Sequence, residues 1–231
     1  MPLKDTQNEP DDRRIAIDRV GVRALRYPMQ VRDKARAVQH TIATAALTVD
    51  LPHHFKGTHM SRFVEVLNEF GPELHVDNIH AILRELTARL ASESAHVDFE
   101  FPFFLAKSAP VTAAVGLMDY IARFSATLEK GAVDFVVTAI VPVTTLCPCS
   151  KAISAHGAHN QRGQVTFSIR SHPPLWIEDM IRLVEDLVRN IAARANDAPA
   201  ISWYRIEAEN FESIHNHNAY ALIEKRKTPA A

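Results

Sequence analysis

The residues best suited to chemistry are two cysteines and a set of clustered histidines. Cys147 and Cys149 lie at the end of a β-branched run, where a strand is expected to lead into a loop. His159 follows Cys147 by twelve residues, and His215 and His217 lie between two C-terminal strand-like segments. Thiolates and imidazoles bind zinc and similar metals, and imidazoles also transfer protons, so either chemistry fits these segments.

The spacing of these residues alone is also compatible with interpretations that involve no metal site and no catalysis. An inert buried cysteine beside a loop histidine explains Cys147 and His159 about as well as a metal site does. A polar hairpin loop at the surface explains the segment with His215 and His217. Cys-x-Cys is not a standard zinc motif, so we expect one thiol to be a ligand and the other to pack nearby.

A third segment is basic and opens a helix. Lys56, His59 and Arg62 surround Gly57 just before and inside a helical pattern. The free backbone N–H groups at a helix N-terminus bind anions, and the basic side chains would add charge for a phosphate. The alternative is an ordinary helix start with a solvated basic face.

Composition restricts the class of protein. The 231 residues include 26 Lys plus Arg and 27 Asp plus Glu, for a net charge of −1, which argues against a nucleic-acid binder. Hydrophobic residues make up 47% of the chain, as in ordinary globular proteins. Two cysteines cannot build a disulfide framework, and no apolar stretch reaches the roughly 20 residues needed to span a bilayer. We therefore expect a cytoplasmic protein with reduced thiols and no membrane partner.

The elements that must position these residues form an α+β pattern. Strand-like and helical segments follow the order strand–strand–helix–helix–strand, then strand–strand–strand–helix–strand–strand. This order predicts two similar modules of antiparallel sheet backed by helices. The predicted organisation is a disordered arm at 1–14, a first module at 15–110, a second module at 111–226 and a tail at 227–231.

Helical periodicity is clear in three places. A helical pattern that follows Thr58 or His59 and a second pattern over residues 76–90 each place apolar side chains on one face, and Gly71 is expected to end the first helix. The pattern from Trp176 to Ala195 predicts one long helix with a continuous apolar stripe. The first strand is expected over Ile15–Tyr27, just before a proline.

Taken together, the chain resembles the type IB GTP cyclohydrolase I family. Each matching segment is weak alone, but their combination is specific and extends from about residue 15 to 226. The segments are LPHHFKGTHMSRFVEVLN, VPVTTLCPCSKAIS, GAHNQRGQV, WIEDMIRLVED and ENFESIHNHNAYALI. The resemblance implies the tunnelling fold, with two modules in each subunit and active sites between subunits. It also implies a homo-oligomer, either a dimer or a tetramer.

The resemblance further implies an activity and a set of site residues. Members of this family hydrolyse GTP to formate and 7,8-dihydroneopterin triphosphate, the first step towards folate. Cys147, His159 and His215 match metal-site residues for Zn²⁺, Mn²⁺ or Fe²⁺, and Cys147 and His159 are expected to be essential for catalysis. Such a metal lowers the pKa of water towards neutrality for attack at guanine C8. His156 and His217 are candidate proton shuttles.

One segment of the family pattern is missing. A stretch of roughly thirty residues that carries an Arg-Pro-Asp-Glu element, with a glutamate ligand, has no counterpart near residue 185. Glu209 and Glu212 are candidate replacements for that carboxylate. The fusion aligns Glu185 with the family's guanine-anchoring glutamate, a task that suits a carboxylate because it accepts two hydrogen bonds. Glu185 also fits an upstream register, in which it is a plain surface residue.

Three functions are therefore compared. The first is an active GTP cyclohydrolase that uses the three-ligand site. The second is an impaired family member that persists as an oligomeric purine- or pterin-binding or structural protein. The third is a nitrile reductase of the same fold, which uses a cysteine nucleophile and NADPH, and only the surroundings of Cys147 favour it. Together with Glu185, the basic residues Lys56, His59 and Arg62 are the expected substrate contacts.

Overall fold

The structure is a computed structural model that describes residues 12–72, 76–109, 111–146, 152, 154, 160–185, 188–211 and 217–227. Within these residues, strands and helices follow the predicted mixed order. The strands are β1 (Ile17–Asp33), β2 (Ala37–Leu51), β3 (Ser94–Ser108), β4 (Val115–Glu129), β5 (Ala132–Leu146), β6 (Asn160–Ser171), β7 (Ile201–Asn210) and β8 (Ala219–Arg226). The helices are α1 (Met60–Phe70), α2 (Val76–Leu90), α3 (Ile177–Val184) and α4 (Val188–Asp197). The predicted arm at 1–14 lies mostly outside the described residues.

The strands form an antiparallel sheet whose strand order follows the sequence from β1 to β8. Side chains alternate between its faces, as β3 illustrates: every second residue from Ala95 to Phe103 is buried, and those between are partly exposed. This burial period of two residues matches the alternation of apolar and polar residues that predicted the strand from the sequence. One face of the strand therefore contributes to the core and the other is polar.

The first strand is longer than the sequence predicts. Its predicted end at Tyr27 is wrong, because β1 continues through Pro28 to Asp33. Proline removes a backbone donor, but β1 is the edge strand of the sheet, where that loss is tolerated. The strand ends instead where Asp33 Oδ1 accepts the N–H groups of Ala35 and Arg36, at 2.6 and 2.8 Å.

Two compact units share the sheet strands. Unit 1 comprises residues 1–102 and 123–135, and unit 2 comprises residues 103–122 and 136–231. Strands β3, β4 and β5 each contribute residues to both units. The predicted module boundary at 110/111 stays a prediction.

Unit 1 contains α1 and α2, which contact each other and strands β1 and β2 respectively. Helix α1 begins after His59 and ends at Gly71, as predicted, with Phe63, Val66 and Leu67 buried. Helix α2 buries the predicted apolar stripe completely or nearly so: Ile79, Ile82, Leu83, Leu86 and Leu90. The amphipathic pattern thus determined which helix faces meet the sheet.

Unit 2 contains α3 and α4, which contact β6 and β7 respectively. The prediction of one long helix is wrong, because α3 ends at Val184 and Glu185 forms its C-cap, with its N–H donating to the carbonyl of Ile181 at 3.2 Å. The apolar stripe nevertheless continues, since Ile181, Val184 and Ile191 are all buried. The interruption coincides with contacts that Glu185 makes to β3 and β4, so tertiary structure overrides the helical pattern here.

No helix in the described part of the chain combines the length and the apolar composition needed to cross a membrane.

Candidate active site

The basic segment of unit 1 surrounds the start of α1. His59 is the N-cap residue in an extended backbone conformation, and its carbonyl accepts the N–H of Arg62 at 3.2 Å. Lys56 lies three residues before the cap and is exposed. The first turn of α1 therefore begins among the predicted substrate-contacting residues, and the start of a helix is where backbone N–H groups bind anions.

Arg62 also has a structural contact. Its Nη1 donates to the carbonyl of Arg89 at 3.1 Å, in the last turn of α2. A cationic side chain on the final carbonyls of a helix satisfies acceptors that have no partner within the helix. Arg62 thus connects the beginning of α1 to the end of α2, and its role in substrate binding stays a prediction.

The predicted metal ligands border strand ends of unit 2. Cys147, His159 and His215, and also His156, lie outside the described residues. Their flanking strands are well defined: Leu146 at the end of β5 pairs with Asn160 at the start of β6, and Asn210 at the end of β7 pairs with Ala219 at the start of β8.

Strands β6 and β7 approach each other closely at the same end of unit 2. A Cβ on Gly163 would lie 2.4 Å from Asn210 Oδ1 and 2.8 Å from the carbonyl of Glu209, so only glycine fits. Beyond this point the N–H of Phe211 donates to the carbonyl of Arg162 at 2.8 Å. The ends of β5 and β7 and the beginnings of β6 and β8 therefore lie at one end of the sheet.

Other titratable side chains at this end are described in part. Glu209 Oε1 accepts a hydrogen bond from Asn218 Nδ2 at 2.8 Å, and His217 is exposed. Glu212 lies outside the described residues. Across the described ranges, from residue 12 to 227 with their gaps, no three His, Cys, Asp or Glu side chains form a group that could hold a metal.

Glu185 is held by two residues of neighbouring strands in unit 2. Its Oε1 forms an ion pair with Lys107 Nζ of β3 and accepts a hydrogen bond from the hydroxyl of Tyr120 of β4 at 3.3 Å. The Lys107 ammonium also lies 5.9 Å from the centre of the Tyr120 ring. Glu185 is therefore an exposed residue with two side-chain partners, 36% exposed at its side chain, and the choice between its two registers stays a prediction.

Comparison with known proteins identifies the family. The family model described as type I GTP cyclohydrolase folE2 matches residues 3–185 and 182–221, which together extend over most of the chain. The chain belongs to this FolE2 family. Residues 182–185 are matched twice, so Glu185 lies in both registers that the sequence allows.

Individual relatives support the same assignment. A protein of Akkermansia muciniphila named GTP cyclohydrolase FolE2 is 54% identical over 257 aligned residues, covering 96% of this chain and 97% of the relative. A second protein of that name, from Syntrophus aciditrophicus, is 48% identical and covers 96% of this chain and 99% of its own length. The chain is thus similar to FolE2 proteins from end to end.

Solved structures with a similar fold include uricases. The uricase of Arthrobacter globiformis has a TM-score of 0.60 at 8% identity and covers 93% of this chain and 95% of its own. The uricase of Bacillus fastidious has a TM-score of 0.59 at 5% identity, and the match covers 91% of this chain and 93% of the uricase chain. At this level of identity the likeness concerns the fold alone, and it confirms the predicted α+β tunnelling-fold class for this FolE2 family member.

The electrostatics around Glu185 reflect its close contacts. Burial lowers the pKa of Lys107, but the hydrogen bonds to Glu185 and Tyr120 together outweigh it, so the net shift of that pKa is upward. Burial raises the pKa of the Tyr120 hydroxyl, and the nearby Lys107 opposes that shift only in part. Lys107 therefore stays charged and Tyr120 stays protonated at neutral pH.

Lys107 and Tyr120 were missed by the sequence analysis. They lie 78 and 65 positions from Glu185 in the chain, and neither belongs to a local motif. Only the strand pairing of this FolE2 family member brings them to the end of α3. No short-range signal in the sequence could have found them.

Unit 1 contains a separate charged cavity of about 1030 Å³. Arg19, Arg23 and Arg123 line it together with Asp98 and Glu100. Arg123 is paired with Glu100, and its Nε donates to Glu100 Oε2 at 3.2 Å. The predicted contacts of unit 1 do not line this cavity.

Proposed function

We propose that the protein hydrolyses GTP to formate and 7,8-dihydroneopterin triphosphate, with a divalent metal as cofactor. The observation that carries this proposal is the end-to-end similarity to proteins named GTP cyclohydrolase FolE2, at 43% to 54% identity. Similarity of this extent supports a shared reaction as well as a shared fold. The finer assignment to the type IB branch belongs to the same proposal.

The metal is assigned to Cys147, His159 and His215. One thiolate and two imidazoles suit Zn²⁺, Mn²⁺ or Fe²⁺, and three protein ligands leave an open position. The described neighbours support the assignment, because Cys147 follows Leu146, His159 precedes Asn160, and those two residues are paired. When bound, a divalent metal supplies Lewis-acid chemistry that lowers the pKa of water. His156 and His217 are assigned to proton transfer.

Substrate recognition is assigned to two sets of residues, each described by itself. Glu185 is assigned to the guanine ring, whose N1–H and 2-amino group are donors that a carboxylate accepts together. Lys56, His59 and Arg62 are assigned to the triphosphate, for which the start of α1 offers N–H groups and positive charge. Each assignment can be tested separately, because the two groups bind different parts of GTP.

We infer that the chain lacks a segment present in its relatives. The alignment to the Akkermansia muciniphila protein extends over 257 positions, whereas 96% of the present chain is about 222 residues, so about 35 positions have no counterpart here. The double match of residues 182–185 supports a junction beside Glu185. Glu209 is the described candidate for a replacement carboxylate.

The same observation favours a second candidate function. If the absent segment carried an indispensable ligand, the protein would be an impaired family member that binds a purine or pterin without turning it over. The two functions differ in one product, because only the active enzyme releases C8 of guanine as formate.

Formate release decides between these functions. The purified protein is reconstituted separately with Zn²⁺, Mn²⁺ and Fe²⁺, and formate and neopterin are measured after addition of GTP. We expect turnover with at least one metal. Binding of GTP without formate, at every metal tested, would favour the impaired family member and contradict the proposed reaction.

Assembly and location belong to the same proposal. Strands β1 and β8 end the strand order, so each offers an edge for pairing. Tyr220 and Leu222 of β8 are 59% and 45% exposed, which supports a homo-oligomer, either a dimer or a tetramer. The two reduced thiols expected from the sequence support a cytoplasmic location.

A further inference from the structure

The contacts of Glu185 are unevenly distributed over its carboxylate. Oε1 receives both Lys107 Nζ and the Tyr120 hydroxyl, whereas Oε2 has no hydrogen-bond partner within the described part of the chain. The side chain is also 36% exposed, so solvent reaches it. One oxygen is therefore fixed by the protein, and the other is available to a ligand.

The two residues that fix Oε1 are themselves well anchored. Tyr120 is 1% exposed, and its hydroxyl also contacts Met118 Sδ at 3.4 Å. Lys107 lies over the Tyr120 ring, a position that a cation–π attraction favours. Exposed ion pairs of this kind contribute little to folding, so stability is a weak explanation for this arrangement.

We propose that Lys107 and Tyr120 are positioning residues that orient the Glu185 carboxylate towards the guanine edge of GTP. The proposal rests on the proposed function, in which Glu185 recognises guanine. A carboxylate has about four acceptor positions, and the two protein donors occupy positions on one oxygen only. The unoccupied Oε2 accepts one of the two guanine donors, and Oε1 accepts the other beside the two contacts that fix it, so that N1–H and the 2-amino group pair with the carboxylate in one plane.

This arrangement predicts a particular dependence on the purine. Inosine triphosphate lacks the 2-amino group but is otherwise identical to GTP, so it makes one hydrogen bond to Glu185 where GTP makes two. An oriented carboxylate should therefore bind GTP about tenfold more tightly than inosine triphosphate. A carboxylate that rotates freely should discriminate less well, because the second hydrogen bond requires the correct plane.

The test uses Lys107→Met, Tyr120→Phe and a matched control in the full-length protein. The control is Arg205→Met, which breaks an ion pair with Glu207 on β7 at comparable side-chain exposure: 38% and 31%, against 41% and 36% for Lys107 and Glu185. For each variant, kcat and KM are measured by formate release, and dissociation constants for GTP and inosine triphosphate are measured by calorimetry. Thermal unfolding confirms that each variant is folded.

For Lys107→Met we expect KM for GTP to rise about tenfold while kcat stays within about threefold. The preference for GTP over inosine triphosphate should fall to about threefold or less. Tyr120→Phe should cause a smaller change in the same direction and keeps the proposal testable if Lys107→Met does not fold. Lys107→Arg, which retains the charge, should restore most of the preference, and Arg205→Met should leave it unchanged.

Several outcomes would overturn the proposal. The first is that both Lys107→Met and Tyr120→Phe keep the wild-type preference for GTP over inosine triphosphate. The second is that the variants lose affinity for both nucleotides equally, which would indicate a merely structural role for Lys107 and Tyr120. If the wild-type protein binds GTP selectively but releases no formate, the proposed function fails while the positioning role is still decided by the binding constants. If the wild-type protein binds neither nucleotide, both proposals fall.

Discussion

The helix pair of unit 1 and the helix pair of unit 2 each bury an apolar stripe, but different causes determine where their helices end. In both pairs the stripe residues are almost completely buried, as Leu83 of α2 and Ile181 of α3 show. The ends of the helices differ. In unit 1, α1 ends at residues that stop a helix by their own chemistry, whereas in unit 2 the end of α3 coincides with contacts to strands that are distant in sequence.

In unit 1 the end of α1 is encoded locally. Gly71 adopts a φ of 69° and a ψ of −168°, a region that is essentially restricted to glycine, and its N–H donates to the carbonyl of Leu67 at 3.1 Å. Pro72 follows and cannot continue the helix. The sequence predicted this end because both signals lie within two residues.

In unit 2 the end of α3 lacks such residues. Glu185 and the residues beside it are compatible with a helix, and the apolar spacing continues across the junction. The helix nevertheless ends where Lys107 and Tyr120 hold the Glu185 side chain. A helix that ends where the local sequence pattern predicts that it should continue is a place where a functional constraint is expected. This agrees with the proposal that Glu185, at the end of α3, contacts guanine.

The largest expected effect tests whether the catalytic chemistry belongs to the strand ends of unit 2. Cys147→Ala should remove the bound metal and lower formate release by about 1000-fold or more, because Lewis-acid stabilisation contributes several kcal/mol. Metal content is measured by atomic absorption and turnover by formate release. Cys149→Ala is the control and should retain the metal. Normal turnover in Cys147→Ala would refute the ligand assignment.

The next effect tests the feature that the two helix pairs share. Leu83→Ala in α2 and Ile181→Ala in α3 should each lower the free energy of unfolding by about 3 kcal/mol, because each leaves a cavity beneath a fully buried side chain. Chemical denaturation measures both. Val111→Ala, at a side chain that is 95% exposed, should change stability by less than about 0.5 kcal/mol. A much smaller loss for Ile181→Ala would show that α3 is held by other contacts.

Much of the fold could be predicted from periodicity. The alternation in the strands and the 3.6-residue spacing in α1 and α2 depend on neighbours within one turn or one strand, and these predictions are confirmed. The errors involve tertiary structure: β1 passes through Pro28, which an edge strand tolerates, and α3 ends at Glu185, where Lys107 of β3 and Tyr120 of β4 contact its side chain. Such information is not local.

The site was predictable only in part, for the same reason. The segment around Cys147 and similar segments can be recognised from their consecutive residues alone. They therefore indicated the family without knowledge of the fold. Lys107 and Tyr120 carry no motif, and strand pairing alone brings them to Glu185. The roles of Cys147 and His159 stay predictions.

The third effect compares two partly exposed carboxylates, Glu185 and Glu85, each of which is paired with a cationic side chain. Glu185→Gln should lower kcat/KM for GTP about 30-fold, since a charge-assisted hydrogen bond contributes about 2 kcal/mol. Glu85→Gln in α2 changes a carboxylate that is 37% exposed and also paired with a cation, here Arg89. It should leave kcat/KM within about twofold. Equal effects of the two substitutions would mean that Glu185 is simply an ion-pair partner.

The smallest effect tests whether the helix end of unit 1 is truly local. Gly71→Ala places a Cβ in open space, since no atom lies within 4 Å, so any destabilisation comes from the positive φ alone. We expect a loss of about 1.5 kcal/mol in the free energy of unfolding. Gly116→Ala is the matched control, because its surroundings are equally open and its φ is ordinary, and it should be neutral or slightly stabilising. Equal stability of the two variants would show that the backbone at Gly71 can relax, and then the end of α1 would depend on tertiary contacts as the end of α3 does.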